Sequence, residues 1–213
     1  MTNVIKEGIY LINKPRGRSS FSMVAQVRRI SGIKKVGHAG TLDPEAEGLL
    51  VVLVGKDYTK LSDTFLKLDK TYEFEMKLGE NSSTGDEEGT KTKISSIKPT
   101  KDEIEFAISK FVGKISQTPP QYSAIKINGQ RAYKSAQKGI TVYIQPRDVN
   151  IYSLDILSYM YPMLRLKADV SSGTYVRSLT EDIGKELKTG AYCTKIARTR
   201  IGDYYLKEAI TLD

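Results

Sequence analysis

The sequence has little of what disulfides and metal sites are built from. Its 213 residues include one cysteine, Cys193, one histidine, His38, and no tryptophan. A single cysteine excludes an intrachain disulfide, and a reducing compartment is the simplest inference. Structural zinc sites need about four Cys or His ligands, so we expect no metal. No apolar run approaches the ~20 residues of a membrane span, and the N-terminus lacks a signal-peptide pattern. We therefore expect a soluble, cytoplasmic protein.

Several cofactor and nucleophile motifs are also missing. The chain has no GxGxxG after a strand and no GxxxxGK[ST], which are the usual cradles for nucleotide phosphates. A Ser-His-Asp triad would have to use His38, and no GxSxG motif accompanies it. These absences leave the kind of chemistry that a carboxylate can perform without a cofactor.

Positive charge is concentrated in two blocks of a chain whose formal net charge is +8. Residues 1–38 contain eight Lys or Arg and one Glu, and residues 110–147 contain seven Lys or Arg and no acid. A charge run is often only a solvated face. Two acid-poor blocks with interleaved Tyr122, Tyr133 and Tyr143 favour a nucleic acid partner, because cations bind phosphates and aromatic rings stack on bases.

Hydrophobic periodicity predicts a mixed α+β domain around an antiparallel sheet. A short strand is predicted at residues 8–15. Strict alternation predicts strands at 70–79 and 163–171, and the continuous apolar run at 49–54 predicts a strand that is buried on both faces. Residues 81–89 are predicted to be a polar, acidic loop.

Three helices are predicted from their end signals. The first is capped by Ser19 or Ser20 and ends at Gly32. The second, at residues 104–112, follows a capping box formed by Thr100 and Glu103. The third directly follows the last predicted strand and carries an apolar face.

A glycine-rich segment, GHAGTLDP, precedes the strand at 49–54 and carries Asp43. Its small residues bring the backbone close to another group, and loops often carry catalytic residues. The alternative is that Asp43 is only a helix N-cap, with Pro44 at the first helical position. The pattern alone leaves both interpretations open.

Two other residues are ambiguous in a similar way. Arg177 lies in the first turn of its predicted helix, where its charge opposes the helix dipole. It is therefore either the partner of a phosphate or buried carboxylate, or an ordinary solvated arginine. Tyr72 begins a strand, and is either a core or edge residue or a stacking platform for a base.

Five regions of the chain, in order, resemble the motifs of the TruB family of pseudouridine synthases. Any one of them would be a weak signal, but five in register are specific, and the similarity spans nearly the whole chain. The segments are GIYLINKPRGRSS at 8–20, KVGHAGTLDPEAEG at 35–48, KTYEFEMKLG at 70–79 with TGD at 84–86, PPQYSAIKINGQRAYKSAQKG at 119–139, and SSGTYVR at 171–177.

The resemblance implies a fold and an activity. The fold is the pseudouridine synthase fold, a mixed, mainly antiparallel sheet flanked by helices and loops, with residues 1–213 as one catalytic domain and a thumb insertion at about 119–147. The activity is that of an isomerase that converts the uridine at tRNA position 55, in the T-arm, to pseudouridine without cofactor or metal. Family members commonly continue into a C-terminal PUA domain, which is missing here. We therefore expect a monomer of the bacterial type that uses no guide RNA.

The resemblance also implies roles for individual residues. Asp43 corresponds to the nucleophilic aspartate, Arg177 to the arginine that pairs with its carboxylate, and Tyr72 to the tyrosine that stacks on the target uracil. Ile196 stands where the family usually has Leu, on the other face of that base. His38 would stabilise the bent RNA, with a purely structural role as the alternative. The residues expected to contact RNA or substrate are His38, Lys14, Lys60, Asp86, Tyr122, Lys126, Arg131, Ile196 and Arg198.

The implied mechanism begins with flipping of the target base out of its stack. Asp43 then attacks the sugar carbon, as carboxylates do in retaining glycosidases, or adds to the base, or removes a sugar proton. Two rival functions use the same surface. One is a non-catalytic module that binds and folds tRNA, and the other is an RNA N-glycosylase that releases uracil.

Overall fold

The computed structural model describes residues 5–123, 125–127, 129–136 and 139–212. The chain forms two compact units. The first contains Met1–Tyr72 and Ile196–Asp213, and the second contains Glu73–Lys195. The expectation of one catalytic domain over 1–213 stays a prediction. Within the described ranges, no helix has the length and apolar character needed to cross a membrane.

Most of the regular structure is strand. The strands are β1 (Gly8–Lys14), β2 (Val36–Ala39), β3 (Glu47–Val54), β4 (Lys70–Leu78), β5 (Glu80–Ser82), β6 (Lys91–Lys93), β7 (Gly113–Gln117), β8 (Lys126–Ile127), β9 (Gln130–Arg131), β10 (Arg147–Met160), β11 (Met163–Val170), β12 (Ala191–Ile201) and β13 (Tyr204–Tyr205). The helices are α1 (Ser20–Ser31), α2 (Lys56–Thr59), α3 (Ser62–Lys67), α4 (Lys101–Ser109), α5 (Ala132–Ala136) and α6 (Val176–Glu186), and a 3₁₀ turn spans Leu206–Glu208.

The first unit is built around β3. Strands β1 and β2 pair with β3 antiparallel, while β12 runs parallel to it with Arg198 opposite Gly48. The side chains of β3 from Leu49 to Val54 are fully buried. One face packs against α1 and the other against Phe65 of α3. The prediction of a strand buried on both faces is therefore confirmed.

Helix α1 has the ends that its sequence predicts. The Ser19 side chain accepts a hydrogen bond from the Ser22 amide at 3.0 Å, which satisfies one of the donors left open at a helix start. The helix ends at Gly32, whose φ of 70° is the left-handed conformation that glycine adopts most easily. Of the two predicted caps, Ser19 is the correct one.

The second unit is a sheet in the order β12-β4-β11-β10-β7, in which β10 pairs antiparallel with both β11 and β7. The alternation predicted for β4 is confirmed, because Phe74, Met76 and Leu78 are buried. Helix α6 buries Leu179 and Ile183, which belong to the apolar face found in the sequence. The α+β prediction, with a mixed and mainly antiparallel sheet, is confirmed.

Three local predictions need correction. Asn81 and Ser82, predicted as loop, lie in β5, which pairs with β6 as a short hairpin. Helix α4 begins at Lys101, three residues before the predicted start, because the Thr100 capping box fixes its first turn. No helix follows Asp43; a turn follows instead, in which the Ala46 amide donates to the Asp43 carbonyl at 3.1 Å. The N-cap interpretation of Asp43 is therefore wrong.

Gly48 lies at a close approach between β3 and β12. A Cβ atom there would lie 2.4 Å from the Arg198 carbonyl oxygen, and the glycine has a φ of 101°. Both the backbone conformation and the space therefore require glycine. Gly113 has nearly the same φ, 102°, but a Cβ there would have no neighbour within 4 Å.

We predict that Gly48→Ala destabilises the protein by at least about 2 kcal/mol more than Gly113→Ala. Both variants carry the strain of an L-residue at positive φ, on the order of 1–3 kcal/mol, but only the first forces a strand backbone to move. Urea unfolding of the two variants measures the difference. Equal losses of unfolding free energy would show that the close approach at Gly48 is unimportant.

Candidate active site

Asp43 lies in the segment that joins β2 to β3, which we call the Asp43 loop (residues 40–48). The Asp43 side chain is half-buried. The backbone on either side of it is fixed by neighbours. The hydroxyl of Ser20 donates to the Leu42 carbonyl at 3.0 Å and accepts from the Leu42 amide at 2.9 Å. The Gly17 amide donates to the Pro44 carbonyl at 2.8 Å. Residues 40–46 of the loop, which precede β3, are therefore held without a helix or a strand ladder of their own.

Lys14, at the end of β1, supports the Asp43 loop through its ammonium group. Its side chain is fully buried, and its ammonium donates to the carbonyls of Pro44 at 3.1 Å, Pro15 at 2.9 Å and Arg18. An ammonium has three donors, and each of these bonds uses one. Direct RNA contact by Lys14, as expected from the sequence, does not fit this arrangement. Lys14 supports the Asp43 loop instead.

Burial lowers the pKa of Lys14 from 10.5 to about 8. The loss of solvation favours the neutral amine. The carboxylates of Asp43, Glu45 and Glu47 oppose this shift, because their negative charge favours the ammonium, while the Arg198 cation adds to it. The net shift shows that desolvation is the larger effect.

We predict that Lys14 makes the protein more stable as the pH rises from about 8 to 10.5. In that interval the unfolded state binds a proton that the folded state has lost, so the free energy of unfolding increases with pH. The stability of the wild type relative to Lys14→Met should therefore rise by roughly 1–3 kcal/mol. Urea unfolding of both proteins across this range tests it, and a difference that does not change with pH would contradict it.

Arg198, on β12, contacts both ends of the Asp43 loop. Its Nε donates to the Leu49 carbonyl at 2.8 Å, and its Nη2 donates to the Gly40 carbonyl at 3.0 Å. The residue is 2% exposed. A guanidinium this deeply buried is not placed to meet a phosphate, so the expected RNA contact by Arg198 does not fit the structure either.

The other predicted residues of the first unit lie at its strands and at one short helix. Tyr72 on β4 and Ile196 on β12 are both half-buried. His38, also half-buried, lies on β2 opposite Val52. Lys60 follows α2 and is exposed, and its ammonium is 2.7 Å from an Asp57 carboxylate oxygen. Their roles toward a base or an RNA backbone stay predictions.

Arg177 is the main buried cation of the second unit. As the sequence predicts, it lies in the first turn of α6, and it is 4% exposed. Its Nη1 donates to an Asp86 carboxylate oxygen at 3.2 Å and to the Thr84 carbonyl at 3.1 Å, while its Nη2 donates to the Tyr122 carbonyl at 2.7 Å. The guanidinium thus joins the motif segments at 84–86, 119–139 and 171–177.

Asp86 is therefore a structural partner of Arg177. The Asp86 side chain is 15% exposed. It also accepts hydrogen bonds from the Thr84 hydroxyl and, at 3.1 Å, from the Glu88 amide. The sequence assigned Asp86 to RNA and paired Arg177 with Asp43; the Asp86–Arg177 ion pair was missed, because nothing in a sequence marks two residues this far apart as neighbours. The pairing of Arg177 with Asp43 stays a prediction.

The start of α6 is fixed by two further sets of hydrogen bonds. The Gln117 amide group donates to the Tyr175 carbonyl at 3.0 Å and accepts from the Tyr175 amide at 2.7 Å. The Ser178 hydroxyl donates to the Thr118 carbonyl at 2.8 Å. These bonds connect the end of β7 to the first turn of the helix, and so hold Arg177 in place.

A polar cavity of about 520 Å³ lies beside this turn, and no sequence pattern predicted it. Burial raises the pKa of Glu181, one of its lining residues, while the nearby Lys185 ammonium acts in the opposite direction. Glu181 follows Arg177 by one helical turn, so the two share a face of α6. The cavity is lined by Ser83, Thr84, Ser116, Thr118, Pro119, Pro120, Gln121, Tyr122, Ser178, Glu181, Asp182 and Lys185.

The predicted thumb at about 119–147 is described in part. Tyr122 is half-buried. Lys126 and Arg131 face each other in the register of β8 and β9, and their side chains lie outside the described part of the structure. RNA contacts by these three residues stay predictions.

Cys193 is buried, and burial raises the pKa of its thiol to about 12, which excludes it as a nucleophile near neutral pH.

We predict that Asp86→Asn lowers the free energy of unfolding by about 1–3 kcal/mol, because it removes a carboxylate from a buried guanidinium. Asp182→Asn is the control, since Asp182 pairs with the exposed Lys185 at 3.2 Å within the same helix. The control should change stability by less than about 0.5 kcal/mol. Chemical denaturation measures the unfolding free energy of both variants. Equal losses would show that the Asp86–Arg177 ion pair stabilises the protein no more than the exposed pair does.

Two solved structures share the fold of this chain. The crystal structure of a Cbf5-Nop10-Gar1 complex aligns with a TM-score of 0.77 and 28% identity over 98% of the chain. The structure of an H/ACA RNP bound to a substrate RNA containing 2′-deoxyuridine aligns with a TM-score of 0.71 and 25% identity over 96%. The chain spans about half the length of each matched protein, 53% and 50%. It has the pseudouridine synthase fold, as predicted.

The family follows from closer similarities. Residues 28–176 match the model of the TruB family pseudouridylate synthase, N-terminal domain. The chain is 47% identical over 204 residues to tRNA pseudouridine synthase B of Protochlamydia amoebophila, and the alignment covers 96% of this chain and 78% of that protein. It is 41% identical over 206 residues to the protein of the same name from Chlamydia abortus, which covers 97% and 87%. The chain belongs to the TruB family of pseudouridylate synthases.

Proposed function

We propose that this chain is a tRNA pseudouridine synthase, an isomerase that converts the uridine at position 55 in the T-arm of tRNA to pseudouridine. Membership of the TruB family supports the reaction, and relatives named tRNA pseudouridine synthase B support the substrate. The observation that carries the proposal is the Asp43 loop. It holds a half-buried carboxylate on a backbone fixed by Lys14, Ser20 and Arg198.

The reaction is an isomerisation of one nucleoside. The bond from uracil N1 to the ribose carbon breaks, and a bond from uracil C5 to the same carbon forms. C5 loses its proton and N1 gains one, so atoms and electrons balance with no oxidant, cofactor or energy source. A carboxylate that can act on the sugar or on the base is sufficient chemistry for this exchange.

Access to the base is the first energetic requirement. A uridine within a folded T-loop is stacked, so it must be flipped into the site, at a cost of a few kcal/mol. Phosphate contacts from basic residues offset that cost. We assign this role to Lys60, Lys126 and Arg131, with His38 supporting the bent RNA. Tyr72 and Ile196 are assigned to the two faces of the flipped uracil, so that the detached base rotates without leaving.

Arg177 is assigned to the catalytic carboxylate. An arginine side chain has five donors in a planar arrangement, which allows contact with more than one carboxylate. A nearby guanidinium keeps a carboxylate ionised and oriented. We propose that Arg177 acts on Asp43 in this way, while Asp86 and the carbonyls of Thr84 and Tyr122 hold the guanidinium itself. Action as a monomer without guide RNA is part of the same proposal.

We predict that Asp43→Asn abolishes pseudouridine formation and leaves tRNA affinity within about threefold. The amide keeps the shape of the side chain and removes the nucleophilic charge. Glu45→Gln is the matched control, because Glu45 lies two residues away, pairs with Arg16 at 2.7 Å and has no assigned role in the reaction. It should retain activity. Unmodified tRNA is incubated with each protein, and nucleosides are then quantified and their positions mapped.

The same assay separates the rival functions. An RNA N-glycosylase would release free uracil, which chromatography detects. A module that only folds tRNA would leave the nucleosides of wild-type reactions unchanged. Substantial pseudouridine formation by Asp43→Asn would show that the reaction does not require the Asp43 carboxylate.

A further inference from the structure

We propose that Arg198 is a positioning residue for pseudouridine formation: its guanidinium bridges the two ends of the Asp43 loop and thereby fixes the direction of the Asp43 carboxylate. The inference rests on the proposed function of Asp43. It replaces the RNA contact that the sequence suggested for Arg198, and it gives this residue a role in the rate of the reaction rather than in the binding of substrate.

The Arg198 side chain connects the two ends of the loop by hydrogen bonds. Gly40 is the first residue after β2, and Leu49 lies in β3, so their carbonyls lie at the two ends of the Asp43 loop. Arg198 donates to both, from Nη2 at 3.0 Å and from Nε at 2.8 Å. Its own backbone lies beside Gly48 in the parallel pairing of β12 with β3. The pairing of β2 with β3 ends at Ala39 and Val51, and beyond that point one side chain holds the backbone at both ends of the loop.

Gly40 provides the space that this contact needs. A Cβ atom on Gly40 would lie 3.4 Å from Nη1 of Arg198, and the residue has a φ of 95°. The backbone thus turns beside the guanidinium where most residues would be strained. Together with the close approach at Gly48, this places two glycines of the Asp43 loop against the same arginine.

Burial of this charge is unfavourable for stability. Arg198 is 2% exposed, and among the described residues it forms no ion pair. Burial is the main cause that lowers the pKa of Lys14 and of Lys70, each to about 8, and the nearby Arg198 cation adds to both shifts. A buried cation without a carboxylate loses hydration that neutral carbonyls only partly replace. A neutral side chain would avoid this penalty, so a role in geometry explains the arginine better than a role in folding.

Arginine also has the shape that the bridge requires. The planar guanidinium holds Nε and Nη2 at fixed positions, so the two carbonyls are bound in one rigid arrangement. A lysine ammonium is a single point on a flexible stem, so it binds several carbonyls only where they converge on that point. The Leu49 and Gly40 carbonyls are instead bound by two different nitrogens of Arg198. The charge alone is therefore insufficient to fix both ends of the loop.

The test compares Arg198→Met and Arg198→Lys with Lys70→Met. Lys70 is a matched control: it is a buried cation of the same unit that donates to the carbonyls of Leu66, at 2.7 Å, and Leu68, away from the Asp43 loop. Single-turnover rates and tRNA dissociation constants are measured for each variant, with thermal unfolding to choose a temperature at which all are folded. Hydrogen exchange of the backbone amides of residues 41–46 is measured without RNA.

We expect Arg198→Met to lower the single-turnover rate about 100-fold, the effect of a displacement near 1 Å, with the tRNA dissociation constant within threefold. Arg198→Lys should remain at least tenfold slow although its charge is kept. Both should accelerate exchange at residues 41–46, whereas Lys70→Met should change neither exchange nor rate more than threefold. If Arg198→Met does not fold, Arg198→Lys carries the comparison.

Several results would overturn the inference. These are a normal rate in Arg198→Lys, a loss of tRNA affinity equal to the loss of rate, or an equal loss of rate in Lys70→Met. The failure of the proposed function looks different, because the wild type would then form no pseudouridine on any tRNA. In that case the exchange data still decide whether Arg198 fixes the loop.

Discussion

The site depends on buried cations that donate hydrogen bonds to backbone carbonyls. Lys14 from β1 and Arg198 from β12 together hold the carbonyls of Gly40, Pro44 and Leu49. Residues 40–46 of the loop have no helix and no strand ladder, so these bonds provide the support that regular hydrogen bonding provides elsewhere in the chain. Carbonyl oxygens are weaker partners for a cation than carboxylates, and the pKa of about 8 for Lys14 shows that part of the desolvation remains unopposed.

The second unit meets a similar requirement with a different balance of charge. Arg177 is also buried and also binds carbonyls, those of Thr84 and Tyr122, but it has a carboxylate partner in Asp86. An ion pair of this kind recovers more of the lost hydration than carbonyls do. The result is a guanidinium fixed at the start of α6, where the helix dipole alone would disfavour it. Both units thus use a buried cation to hold motif segments that are distant in sequence.

Local signals predicted β1, β3, β4, β11 and three helices, whereas the long strands β10 and β12 and the partners distant in sequence were not predicted. Alternation along β4 and the capping residues Ser19 and Thr100 act within a few residues, and the structure agrees with them. Lys14 and Arg198 were assigned to RNA because a cation in a basic segment looks the same whether it is buried or exposed. Their partners are backbone carbonyls, which every residue type provides, so no sequence pattern marks them. The Asp86–Arg177 ion pair and the cavity beside Glu181 were missed because they bring together residues that are distant in sequence.

The difference between buried and exposed cations changes how the two basic blocks, residues 1–38 and 110–147, should be interpreted. Several of their cations already have carboxylate neighbours at the surface: Arg16 with Glu45, Lys110 with Glu186, and Lys114 with Asp148. Exposed pairs of this type are worth little, so a phosphate can replace the carboxylate at small cost. Lys14 differs, since moving its ammonium to a phosphate would break three hydrogen bonds and release the Asp43 loop. The number of Lys and Arg residues in the two blocks is therefore larger than the number that can bind RNA. At least one of them, Lys14, supports the Asp43 loop instead.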